Sequence, residues 1–160
     1  MARVLTDEQT ILMRPWQAWL RIVLVGAAVG IVFWILTALL GRYIVEPLTC
    51  RELVDAASCV NATSLAGNIA AILSALLAII ALLRMNIAQP VIIAVGSAAV
   101  LWSLAGWTNG LFWLESIAWA IVLWGLSFGL FAWITRYSRL IPSIIIATIV
   151  VLIIRITLVL

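Results

Sequence analysis

The sequence predicts an all-α fold: a polytopic membrane helix bundle of five transmembrane helices, N-terminus in and C-terminus out. Three observations carry that expectation. The chain is 67% hydrophobic and only 9% charged, with a mean hydropathy of +1.30, whereas a water-soluble domain carries roughly 25% charged residues. Its apolar residues gather into five runs of about 20 residues, and at ~1.5 Å per residue such a run covers the ~30 Å hydrocarbon layer. Eight of its nine arginines lie at the ends of those runs or in the segments between and before them. A transmembrane barrel would need strands that alternate apolar and polar, and stretches such as 144–154 are apolar at nearly every position.

Residues 1–13 read as a mixed cytoplasmic start. Thr6, Asp7, Glu8 and Gln9 fit a capping box, in which Thr6 and Gln9 satisfy free donors at a helix start. A short helix over 7–13 would set Ile11 and Leu12 against the headgroups, and Pro15 interrupts it or opens the next helix. The first span is expected over 22–41, between Arg21 and Arg42, with Trp16 and Trp19 just before it. It is longer than the core of a signal peptide, and no small-residue cleavage pattern follows, so no cleavable leader is expected. Gly26 and Gly30 stand one turn apart on one face, which lets another helix approach closely.

An outer loop over 42–63 is the one long polar connection, holding Pro47, both cysteines (Cys50 and Cys59) and a second capping-box pattern at Thr49, Cys50, Arg51 and Glu52. The second span, 64–83, carries Asn68 one turn in. Its small residues (Ala66, Gly67, Ala70, Ala71, Ser74, Ala75, Ala78) crowd one side, the mark of a helix held inside a bundle. A short turn leads to Pro90 and a third span over 91–107. Thr108, Asn109 and Gly110 form a tight turn into a fourth span over 111–134, where Gly125 and Gly129 repeat the small-residue spacing. Arg136 and Arg139 follow, and a fifth span runs over 142–160. The 160 residues form a single membrane-embedded domain.

Five spans put Arg3, Arg14, Arg21, Arg84, Arg136 and Arg139 on one side. Arg42 and Arg51 lie on the other, offset by Glu46, Glu52 and Asp55. Arginine excess marks the cytoplasmic side, so the expected location is the plasma (cytoplasmic or inner) membrane, multi-pass. Trp16, Trp19 and Trp133 then fall near the inner interface and Trp107 and Trp113 near the outer one. Trp34, Trp119 and Trp124 sit deeper and read as packing residues.

Two ionisable residues interrupt the apolar runs, Glu115 in the fourth and Arg155 in the fifth. In this topology both lie in the outer leaflet, with Asn68 at a similar depth. The spacing predicts an intramembrane polar cluster of Glu115, Arg155 and Asn68. The competing reading has Arg155 snorkelling to headgroups or contacting another subunit. Cys50 and Cys59 are expected as an outer-face disulfide. On one continuous helix they would lie about 13.5 Å apart, so the bond requires the chain to fold back. Asn61, Ala62 and Thr63 match a glycosylation sequon abutting a span and read as chance.

The sequence contains no His and no Lys, which excludes His-ligated haem and the usual His-based metal and proton-transfer sites. With no phosphate loop or ligand cluster, no cofactor, no metal and no catalytic residue are expected. The arginines sit where bilayer topology puts them, so nucleic acid is not an expected partner. The expected function is non-enzymatic: an assembly or accessory subunit packing through Gly26/Gly30 and Gly125/Gly129 against copies of itself or a larger membrane partner. The alternatives are a small oligomeric transporter or channel using Glu115 and Arg155, and an outer-face thiol redox protein using Cys50 and Cys59.

Overall fold

The computed structural model describes residues 15–49, 56–87, 89–137 and 140–159. The capping box at Thr6–Gln9 and the helix expected over 7–13 lie outside them. The elements are α1 (Pro15–Leu40), a π-helical turn (Gly41–Val45), α2 (Glu46–Thr49), α3 (Ala56–Arg84), α4 (Pro90–Val100), α5 (Leu104–Trp107), α6 (Trp113–Tyr137) and α7 (Leu140–Val159). Among the described residues no strand occurs. Hydrocarbon offers backbone groups no partner, so each apolar run closes its own hydrogen bonds as helix. Four runs are long and apolar enough to cross a membrane: Trp16–Leu48, Ala62–Arg84, Pro90–Trp107 and Trp113–Thr135. Ile141–Ile154 adds a shorter one. The chain is an all-α helix bundle with the character of a multi-pass membrane protein.

The main bundle is a ring in which α1 packs on α6 and α3, and α4 packs on α3 and α6. The most extensive of these seams is α1 on α6, antiparallel, and glycine makes it possible. A Cβ added at Gly26 would lie 2.7 Å from Phe128 Cβ, and one at Gly30 would lie 2.5 Å from the Ala120 carbonyl oxygen. From the facing helix, Gly129 receives the Trp19 ring, whose Nε1 donates to the Gly129 carbonyl at 3.1 Å. Both glycine pairs thus lie in one seam within the chain, Gly26 and Gly30 against Phe128 and Ala120, Gly125 and Gly129 against Val23 and Trp19.

Trp124, Phe128 and Phe131 are fully buried in the core. Phe33 and Trp124 stack with ring centroids 5.6 Å apart, and Trp124 and Phe128 with centroids 6.0 Å apart. The small residues of α3 (Ala66, Gly67, Ala70, Ala71, Ser74, Ala75, Ala78) are all buried, as one crowded face required. The last helix, α7, leans on α4 and touches α6 lightly. Apolar crevices of about 410 and 440 Å³ flank it.

Two stretches carry local detail that the sequence did not announce. Most of the outer loop expected over 42–63 is helix. Gly41 and Pro47 read as stops, yet at Gly41 the ladder widens into a π turn, closed by the Glu46 N–H on the Gly41 carbonyl, and helix continues to Thr49. Pro47 sits in the first turn after the wide one, where a missing N–H is tolerated. Thr49 is the last described residue of α2, α3 is described from Ala56, and the rest of the capping-box pattern, Cys50 to Glu52, lies outside the described residues. The third span, expected over 91–107, is present as Pro90–Trp107 and divides into α4 and α5 at residues 101–103. There Ser103 adopts the left-handed conformation, φ 73°.

Candidate functional site

The break in the third span is held by a single side chain. Ser103 leaves the helical ladder, and its N–H donates to Asn68 Oδ1 on α3 at 3.2 Å. A freed backbone donor at membrane depth must find a partner, and a neighbouring helix supplies it. The short α5 then turns toward α3, where Gly67 meets Ala105 so closely that any side chain at 67 would overlap it. Thr108 ends α5 by returning its hydroxyl to the Leu104 carbonyl at 3.2 Å. Gly110 (φ 94°) follows, and the chain reverses into α6 with the Leu111 N–H on the Thr108 carbonyl at 3.2 Å. The tight turn at Thr108–Gly110 is therefore as the sequence implied.

This detour opens a cavity of about 300 Å³ at one end of the bundle, between α1, the π turn, α3, α5 and α6. Below it, α1 and α6 are closed by Gly30 against Ala120. Its deeper wall is Phe33, Ala120, Leu104 and Ala105, while Thr37, Thr63, Thr108, Asn109 and Ser116 bring hydrogen-bonding groups. Thr37 Oγ1 already donates to the Phe33 carbonyl at 2.8 Å, leaving its lone pairs as acceptors. Trp34 and Trp113 add two indole rings, and Arg42 and Glu46 stand at the mouth, both exposed. Among the described residues neither Arg42 nor Glu46 has an ion-pair partner. The crevices beside α7 are lined almost wholly by aliphatic side chains with Trp102 and Trp107.

Comparison with protein-family models, curated proteins and solved structures finds no match for this chain. The vestibule therefore stands on its own geometry.

Of the three residues expected to form an intramembrane cluster, Asn68 and Glu115 are described with their side chains. Asn68 serves the α4–α5 break. Glu115 is exposed in the first turn of α6, next to the vestibule residue Ser116. Arg155 belongs to α7, which contributes nothing to the vestibule lining, and its side chain lies outside the described residues, so the expected pair with Glu115 does too. Cys50 also lies outside them, and Cys59 is placed only by its backbone, in the first turn of α3. Among the described residues no group of three or more acidic, Cys or His side chains could hold a metal.

Sequence reasoning took Arg42 and Glu46 for loop charges and missed their shared wall. Their spacing of four was the available signal, since residues four apart neighbour each other on a helix. Trp34 packs against the core as expected and also lines the vestibule. Trp124 is fully buried, and its Nε1 has no partner among the described residues.

Proposed function

We propose that this protein binds a small polar solute in the vestibule, as the recognition step of a small transporter or channel in the plasma membrane. The single observation that carries the reading is the broken third span. Asn68 holds α5 aside, and the space so released is lined by hydroxyls, indoles and two open charges. Discontinuous helices form solute sites in membrane transporters because they bring polar backbone and side-chain groups to membrane depth. A cavity of this size matches the lower end of small-molecule sites. The arginine excess at the opposite end supports an outward-facing mouth, N-terminus in and C-terminus out.

Both glycine pairs are covered by the opposite helix of the same chain, so assembly into a larger complex would need another face, such as the isoleucine-rich outer side of α7. An oxidising outer compartment also favours a Cys50–Cys59 disulfide at the vestibule end, which intact mass with and without reductant reads out.

The test is a thermal-shift panel of cationic, anionic, zwitterionic and neutral polar solutes on the protein in nanodiscs. At least one class should raise the melting temperature, and Ala38→Phe, which fills the vestibule, should abolish that shift while keeping wild-type helicity. A panel in which no class acts removes the proposal.

A further inference from the structure

We infer that the vestibule ligand is a zwitterion, an anionic and a cationic group on one small frame; this rests on the solute-binding reading above. The argument is the charge pattern of the mouth. Arg42 and Glu46 lie four residues apart along the π turn and its exit, and both line the same 300 Å³ cavity. An opposite-charge pair at this spacing can close on itself, though only weakly. Here it does not: among the described residues neither forms an ion pair, and both remain exposed at the mouth. A ligand carrying only negative charge would meet Arg42 but be repelled by Glu46, and a purely cationic one would meet the reverse. A neutral ligand would leave both charges partly desolvated and unmatched, which is unfavourable. Only a ligand with both signs satisfies the wall as a whole.

The remaining lining fits the same chemistry. Trp34 and Trp113 offer indole rings, the strongest side-chain partners for an ammonium group. The acceptor lone pairs of Thr37 serve the ammonium protons, and the Ser116 hydroxyl can donate to the anionic end. Two sources present this chemistry at a membrane surface: a free small zwitterion, and the headgroup of a zwitterionic phospholipid.

The experiment titrates the full-length protein, in phosphatidylglycerol nanodiscs, with glycerophosphoethanolamine by ligand-observed NMR. Glycerol 3-phosphate and ethanolamine serve as the single-charge halves. The expected result is saturable binding of the zwitterion, at least tenfold tighter than either half. Arg42→Met or Glu46→Gln should each weaken it at least tenfold, while Arg42→Lys retains most of it. Both positions are exposed, so helicity and gel-filtration profiles should match wild type. Phosphatidylethanolamine added to the nanodiscs separates the sources: competition with the soluble probe identifies a lipid headgroup, and indifference identifies a free solute. Either half binding as well as the zwitterion, or affinity unmoved by Glu46→Gln, overturns the inference. If zwitterions fail while the thermal-shift panel finds a ligand of another class, the solute-binding reading survives and this inference does not. If nothing in the panel binds, both fall.

Discussion

The two ends of the α1–α6 pair were built to opposite specifications. From Trp19 to Gly30 the helices touch backbone to backbone, with glycine on both sides and a fully buried Trp124–Phe128 pair filling what space remains. From Phe33 to Arg42 the same two helices are separated by a cavity, where hydroxyls, an amide and two charges join the rings of Phe33, Trp34 and Trp113. The difference teaches where selection for packing gives way to another demand. A chain needing only to fold could have continued the glycine seam to the end of the bundle. Instead the third span breaks, a non-glycine residue takes φ 73°, and an asparagine at membrane depth is committed to hold the break. Strained backbone of this kind costs of order 1–3 kcal/mol and concentrates at functional sites.

The sharpest way to break the contrast is to fill the seam. Gly30→Val places branched carbon where even a Cβ would sit 2.5 Å from the Ala120 carbonyl oxygen. Because backbone, unlike a side chain, cannot swing away, the expected loss is at the upper end of the ~1–3 kcal/mol range for overpacking, or beyond it. Equilibrium unfolding in mixed micelles measures it. Gly125→Ala is the control within the same seam. Its added Cβ would lie 3.4 Å from the Val23 carbonyl oxygen, so it should lower stability by less than about 1 kcal/mol. Equal losses at the two positions would mean that the seam is not set by contact at Gly30.

An intermediate effect is expected at the break. Asn68→Ala removes the acceptor for the Ser103 N–H and should cost about 1 kcal/mol, the usual scale of an interhelical hydrogen bond in a membrane. It should also raise amide exchange at Ser103 and weaken vestibule binding, because α5 loses its tether. A variant with altered stability but unchanged binding would separate the break from the site. The smallest effect belongs to Ser103→Gly. Relieving a left-handed serine should stabilise the protein by a few tenths of a kcal/mol to about 1, visible as a small rise in melting temperature. A fall would show that the Ser103 side chain carries more than its backbone position implies.

Much of the fold was legible because hydrocarbon leaves few options: apolar runs of sufficient length must be helices, and small-residue faces must meet something. The crowded face of α3 and the turn at Asn109–Gly110 followed from sequence alone. What the glycines met was not legible. Gly26 and Gly30 announce a close approach without saying whether the partner is α6 or a second molecule, since the motif reads the same either way. The break at Ser103 had no proline to mark it. Asn68 was placed beside the intramembrane charges because depth was the only coordinate the sequence offered; what depth could not reveal is that its Oδ1 accepts from the Ser103 N–H at the break, 35 residues away in sequence. Arg42 and Glu46 were hidden by two residues that usually end helices. The π turn carries the helix past both, and in doing so puts the two charges on a cavity wall instead of in a loop.

The proposed function requires that the space above Gly30 be a water-filled vestibule reached from outside the cell. Single cysteines at Ser116 and at Ser127, introduced with Cys50 and Cys59 replaced by serine, test it in intact cells with a membrane-impermeant maleimide. Ser116 lines the vestibule and Ser127 is buried on the same helix. Rapid labelling of Ser116→Cys from outside, with Ser127→Cys inert until the membrane is dissolved, is the result predicted here. Ser116→Cys that stays unlabelled, or reacts only when the cytosol is opened, would contradict it.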